Sequence, residues 1–171
     1  MIIGTELDDL IYGGTSDDTI TGLAGDDILI GGDGDDVIDG GSGTNRLYGD
    51  AGDDKITSAG SNDFVDAGEG NNNVILTNEA SAGTYKSGAG NDIYTLLEGY
   101  NSNNQLDLKS GAGSDTINID ASLTGSLIEL GDGNDIIYLN KDVSGNSRND
   151  TEIRGGSGAD IFNITKGSGS S

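Results

Sequence analysis

The hydrophobic positions of this chain recur with a period of nine. From Gly4 to Ile75 the sequence divides without a gap into eight nonapeptides: GTELDDLIY, GGTSDDTIT, GLAGDDILI, GGDGDDVID, GGSGTNRLY, GDAGDDKIT, SAGSNDFVD and AGEGNNNVI. Position 8 is Ile, Leu or Val in every copy, position 6 is Asp in six of the eight, and position 1 is mostly Gly. Neighbouring side chains of a strand point to opposite faces, so positions 7–9 predict short strands with position 8 inward and its neighbours outward. Positions 1–6 predict tight turns, because glycine alone adopts positive φ at little cost.

The same signature returns in four dispersed copies, SGAGNDIYT (87–95), SGAGSDTIN (110–118), LGDGNDIIY (130–138) and GGSGADIFN (155–163). The nonapeptides resemble those of RTX (repeat-in-toxin) proteins, which implies stacked coils of two nonapeptides with turn i over turn i+2 and so sorts the position-6 residues into two rows. One row runs Asp9, Asp27, Asn45, Asp63, and the other Asp18, Asp36, Asp54, Asn72, Asp92, Asp115, Asp135, Asp160. The segments TYK, LDLK, LIE and TEIR ahead of the dispersed copies supply Tyr85, Leu108, Ile128 and Ile153 in place of the missing position 8. The arithmetic gives eight coils and two inward ladders, one from Ile11 to Ile153 and the other from Ile20 to Phe162. The longer connections at 78–83, 99–105, 121–126 and 141–150 fall on the edge that has lost its nonapeptides.

Composition narrows the chemistry. Of the 30 acidic residues 24 are Asp, there are 31 Gly, and the formal net charge is -22. Asp bonds its own local backbone and favours turns over helix interiors. The charge repels phosphate backbones and anionic lipid, and no apolar run reaches the ~20 residues of a membrane span, so nucleic acid and membrane are excluded as partners. With neither His nor Cys in the sequence, Ser-His triads, imidazole bases, thiolate centres and disulfides are excluded as well. Carboxylates that recur identically along a repeat read as ligands, and no enzyme activity is expected.

Rows of like carboxylates about 4.8 Å apart need a cation between them. Calcium fits as a hard ion taking six to eight oxygens, whereas magnesium demands a tighter octahedron and keeps its water. The repeat resembles GGxGxDxUx, the calcium-binding nonapeptide of RTX (repeat-in-toxin) proteins. That resemblance implies an all-β, right-handed parallel β-roll, here with a tandem part at 1–75, a continuation at 76–164 with longer coils, and a flexible, appended tail at 165–171. The expected metal ligands are Asp9, Asp18, Asp27, Asp36, Asp54, Asp63, Asp92, Asp115, Asp135 and Asp160, with several Ca²⁺ ions bound. Gaps that touch Asn45 or Asn72 lose a charge and should be weaker.

The resemblance further implies a bacterial protein that leaves the cell by type I secretion and folds outside on calcium, as a structural module at the cell surface or beyond. No cleavable signal peptide is visible at Met1-Ile2-Ile3-Gly4. The alternative is an accessory module that binds a polysaccharide or a protein partner, for which Lys86, Lys109 and Arg154 offer a short basic stripe interrupted by Glu129. The outward residues Leu10, Tyr12, Ile28, Ile30, Tyr48 and Phe64 gather on one face of the early coils, where an apolar group can mark a contact surface.

Overall fold

A computed structural model describes residues 1–77, 81–99, 101–141 and 151–165. The first half contains β1 (Ile2–Ile3), β2 (Leu10–Gly14), β3 (Thr19–Thr21), β4 (Ile28–Asp33), β5 (Val37–Asp39), β6 (Arg46–Ala51), β7 (Lys55–Ser58), β8 (Phe64–Asp66) and β9 (Asn73–Leu76). The second half contains β10 (Ser81–Lys86), β11 (Ile93–Leu96), β12 (Asn101–Lys109), β13 (Thr116–Ile119), β14 (Leu127–Glu129), β15 (Ile136–Leu139), β16 (Glu152–Arg154) and β17 (Ile161–Ile164). Odd-numbered strands form one nine-stranded sheet and even-numbered strands one eight-stranded sheet, each in sequence order. Successive strands alternate between the sheets and every neighbour is parallel, so the chain winds as an all-β parallel solenoid.

Both inward ladders keep their register through the insertions. Val65 pairs with Tyr85, Tyr85 with Leu108, Leu108 with Ile128 and Ile128 with Ile153; on the other side Val74 pairs with Tyr94, Tyr94 with Ile117, Ile117 with Ile137 and Ile137 with Phe162. The expectation of about eight coils is slightly high. In about six turns, from Leu29/Ile38 to Ile128/Ile137, both inward residues are fully buried. The outermost ones are open: Ile11 and Ile153 are only half-buried and Phe162 is 44% exposed. A terminal turn has a neighbour on one side only. At the start, β1 supplies part of a further turn by pairing Ile2 with Ile20, a strand that the nonapeptide count leaves out.

The core also widens in a way the repeat does not announce. Beyond position 9, Leu76, Leu96, Ile119 and Leu139 stack in register as a third buried ladder. The two-residue alternation simply continues past the motif, as in Tyr94-Thr95-Leu96. The turns hold their shape through position 4, where Gly43, for example, has φ +126° and its missing Cβ leaves room for the Gly25 carbonyl of the preceding coil. Of the longer connections, residues 78–80, 100 and 142–150 lie outside the described residues, as does the tail from 166 onward.

Candidate metal centre

Each position-6 residue closes a turn just before a strand. Asp9, Asp27, Asn45 and Asp63 precede β2, β4, β6 and β8, while Asp18, Asp36, Asp54, Asn72, Asp92, Asp115, Asp135 and Asp160 precede the odd-numbered strands from β3 to β17. Within a row, each backbone N–H donates to Oδ1 of its counterpart in the next coil. Asp9 donates to Asp27 at 2.9 Å, Asp18 to Asp36 at 2.7 Å and Asp36 to Asp54 at 2.8 Å. The longer row continues from Asn72 to Asp92, Asp92 to Asp115 and Asp115 to Asp135 at 2.8 Å each, and from Asp135 to Asp160 at 3.2 Å.

The second oxygen is another matter. Oδ2 of Asp27, Asp36, Asp54, Asp92, Asp115 and Asp135 is buried without a hydrogen-bond partner. Ser87 and Ser110 stand beside Asp92 and Asp115 but spend their protons on the Ser110 and Leu130 carbonyls. A buried carboxylate oxygen with no donor carries a large desolvation cost. Burial accordingly pushes the carboxyls of Asp27, Asp36, Asp92 and Asp135 above the usual range, Asp54 to about 7 and Asp115 to about 6.

These oxygens face a gap that a side chain would fill. A Cβ at Gly4 would stand 2.7 Å from both Asp9 Oδ2 and the Gly22 carbonyl oxygen, and one at Gly22 would stand 2.7 Å from the Gly40 carbonyl while colliding with Asp27 Oδ2. Gly31 and Gly49 repeat the arrangement with Asp36 and Asp54. Glycine at position 1 thus leaves a carboxylate of one coil and a carbonyl of the next bordering the same space. Among the described residues no three acidic side chains converge on one point. A cation held here would therefore complete its shell from turn carbonyls, the oxygen-only set that suits calcium.

Asp9 and Asp63 differ from the rest. Asp9 Oδ2 accepts from the Thr5 N–H at 2.6 Å and its hydroxyl at 3.0 Å. Asp63 Oδ2 accepts from the Ser58 hydroxyl at 2.6 Å and the Gly60 N–H at 3.1 Å, with the Asn45 N–H on Oδ1 at 2.7 Å.

Reading position 6 alone misses a second side-chain ladder at position 5, which runs the other way. Oδ1 of Asp8, Asp17, Asp26 and Asp35 accepts from the N–H of Asp26, Asp35, Thr44 and Asp53 one coil later. The paired acids of Asp8-Asp9, Asp17-Asp18, Asp26-Asp27 and Asp35-Asp36 are its visible signal.

Fold and turns together define a parallel β-solenoid with carboxylate-lined turns. Residues 3–38 and 39–74 each match the family model described as RTX calcium-binding nonapeptide repeat (4 copies). Residues 3–74 thus match repeats of a calcium-binding kind. No curated protein matches the chain in sequence.

Proposed function

We propose that calcium bound along both turn rows completes the fold, and that the chain serves as a structural module of a secreted or cell-surface protein. The observation that carries this is the set of buried, donorless Oδ2 atoms beside the turn carbonyls. The proposed ligands are Asp18, Asp27, Asp36, Asp54, Asp92, Asp115, Asp135 and Asp160, with Asp9 at the open end of the shorter row. Asp63 is left out because its two oxygens are already taken. Bound calcium supplies positive charge that offsets the -22 of the chain and the repulsion between stacked carboxylates. RTX repeats are typical of secreted proteins, and type I export followed by folding outside the cell is consistent with a fold that waits for calcium. The tandem part (1–75) and the continuation (76–164) are proposed to act as one module.

A polyanion-binding role finds less support. The basic residues of the stripe are engaged within it: Lys86 with Asp66 at 2.5 Å, Lys109 with Glu129 at 3.4 Å, and Arg154 with Glu129 at 2.6 Å and Glu152 at 2.8 Å. Asp66, Lys86, Lys109, Glu129 and Arg154 are successive partners across β8, β10, β12, β14 and β16, a ladder of mixed sign in which acidic residues break the cationic track.

A calcium titration followed by circular dichroism tests the proposal. The chain should be largely unstructured in chelator and β-rich in calcium. A fully β-structured protein that melts cooperatively in excess EDTA would refute it.

A further inference from the structure

The coil from Ser58 to Leu76 answers its own need for a cation. At its first turn, the Ser58 hydroxyl and the Gly60 N–H saturate Asp63 Oδ2. Behind Ser58 lies the buried Tyr85 hydroxyl, 3.3 Å away, which donates to the Ala82 carbonyl at 3.0 Å. At its second turn, Asn72 stands where most other copies have Asp. Its Oδ1 still accepts the ladder bond from Asp54 at 2.9 Å. Its Nδ2 donates to the carbonyls of Gly68 at 3.3 Å and Gly70 at 3.2 Å, so an amide N–H points where other turns carry a bare carboxylate oxygen. In the shorter row Asn45 repeats this more weakly, with Nδ2 on the Gly41 carbonyl at 3.4 Å.

The sequence marks the same coil independently. Its two position-1 residues are Ser58 and Ala67, while the six preceding tandem copies all have Gly there. The gap that glycine leaves open in the six preceding copies is occupied in this coil, and here, unlike beside Ser87, Ser110 and Leu130, the position-6 side chain next to it is already paired.

We propose that the Ser58–Leu76 coil is a calcium-independent joint, in which the hydroxyl of Ser58 and the amide of Asn72 stand in for the ions of other turns. It divides the calcium-binding turns into an N-terminal block, from Asp9 to Asp54, and a C-terminal block, from Asp92 to Asp160. Calcium loss then loosens two blocks on either side of a joint whose own position-6 side chains hold no ion, although its Ala67 carbonyl borders the Asp54 site. The inference rests on the calcium reading above and assigns the turns that reading leaves without an ion.

The test is a calcium count by isothermal titration calorimetry and native mass spectrometry on the whole chain, for wild type, Asn72→Asp and Ser58→Ala. Asn72→Asp exchanges the amide donors for a bare oxygen and should raise the count by one ion. Ser58→Ala removes the shorter of the two bonds to Asp63 Oδ2, leaving the Gly60 N–H, and should do the same in the other row. Anomalous scattering from calcium-loaded wild-type crystals gives a second readout should a variant fail to fold, with no ion expected in the Asp63 or Asn72 turns. An ion in either turn, or variants whose count stays at the wild-type value, overturns the joint. Wild type that binds no calcium at all overturns the underlying reading instead.

Discussion

The Asp36 backbone N–H donates to Asp54 Oδ1 at 2.8 Å, while Oδ2 of the same Asp54 side chain lies buried with no donor. One carboxylate therefore has two separate tasks. Oδ1 fixes the register of successive coils, and Oδ2 faces a space bounded by the carbonyl of the following coil. Asparagine can perform the first task and not the second, as Asn72 shows by accepting from the Asp54 N–H at 2.9 Å.

This split separates ligation from general acidity in a pair of variants. Asp36 sits between Asp18 and Asp54 in the long row, whereas Asp39 is exposed at the end of β5, its carboxylate accepting from the Gly41 N–H at 3.1 Å. Asp36→Asn should keep the register bond and lower both the number and the affinity of bound calcium ions. Asp39→Asn removes the same charge where effects on stability are usually within ~0.5 kcal/mol, and should leave calcium binding close to wild type. Calorimetric titrations that coincide for the two variants would assign calcium binding to net charge alone.

Much of this geometry is legible in the sequence because the repeat has one inward residue and one turn carboxylate per nine. The register survived insertions: Tyr85 and Ile153 stand in the ladder where LIE-like segments replace whole nonapeptides. What escaped was whatever the motif does not encode. The Leu76–Leu139 ladder lies past position 9, and the position-5 acids are hidden by their neighbours at position 6. The saturation of Asp63 depends on Ser58 folding back five residues onto it, a contact that a consensus at position 6 cannot reveal.

In the tandem copies, where glycine at position 1 adjoins a bare carboxylate, that glycine is expected to be required; three of the dispersed copies carry Ser87, Ser110 and Leu130 there instead. A Cβ at Gly49 would meet the Asp54 carboxylate and the Ala67 carbonyl closer than real Cβ atoms come. Gly49→Ala should therefore destabilise the calcium-loaded fold by about 1–3 kcal/mol and weaken calcium binding at the Asp54 turn. Urea denaturation in saturating calcium measures the first and calorimetry the second. A variant equal to wild type in both would mean that the space beside Gly49 plays no part.

Burial along the ladder should set the cost of truncation. Ile56 is fully buried, with Ile38 and Val74 as its partners in the flanking strands, while Phe162 is 44% exposed on the last strand. Ile56→Ala should cost about 2–5 kcal/mol in calcium, whereas Phe162→Ala should cost clearly less despite removing more side chain. Denaturant midpoints with unchanged slopes would report this, and a larger loss at Phe162 would show that the end of the solenoid is packed.

Protons and calcium should act on the fold in opposite directions. In the metal-free chain, burial holds the Asp54 carboxyl at about 7 and that of Asp115 at about 6, and raises Asp36, Asp92 and Asp135 as well. Unfolded, these groups release their protons near pH 4. Between about pH 4 and pH 7 the folded form thus binds more protons than the unfolded one, and its stability falls as pH rises through that window. Without calcium, acidification from pH 7.5 to 5 should increase β structure. With calcium present the same acidification should weaken ion binding, because each proton taken up by an Oδ2 removes a ligand. Circular dichroism across this range in calcium-depleted buffer, set beside calorimetry at the same pH values, checks both halves. β content that declines on acidification without calcium would mean that the buried carboxyls do not remain protonated in the folded chain.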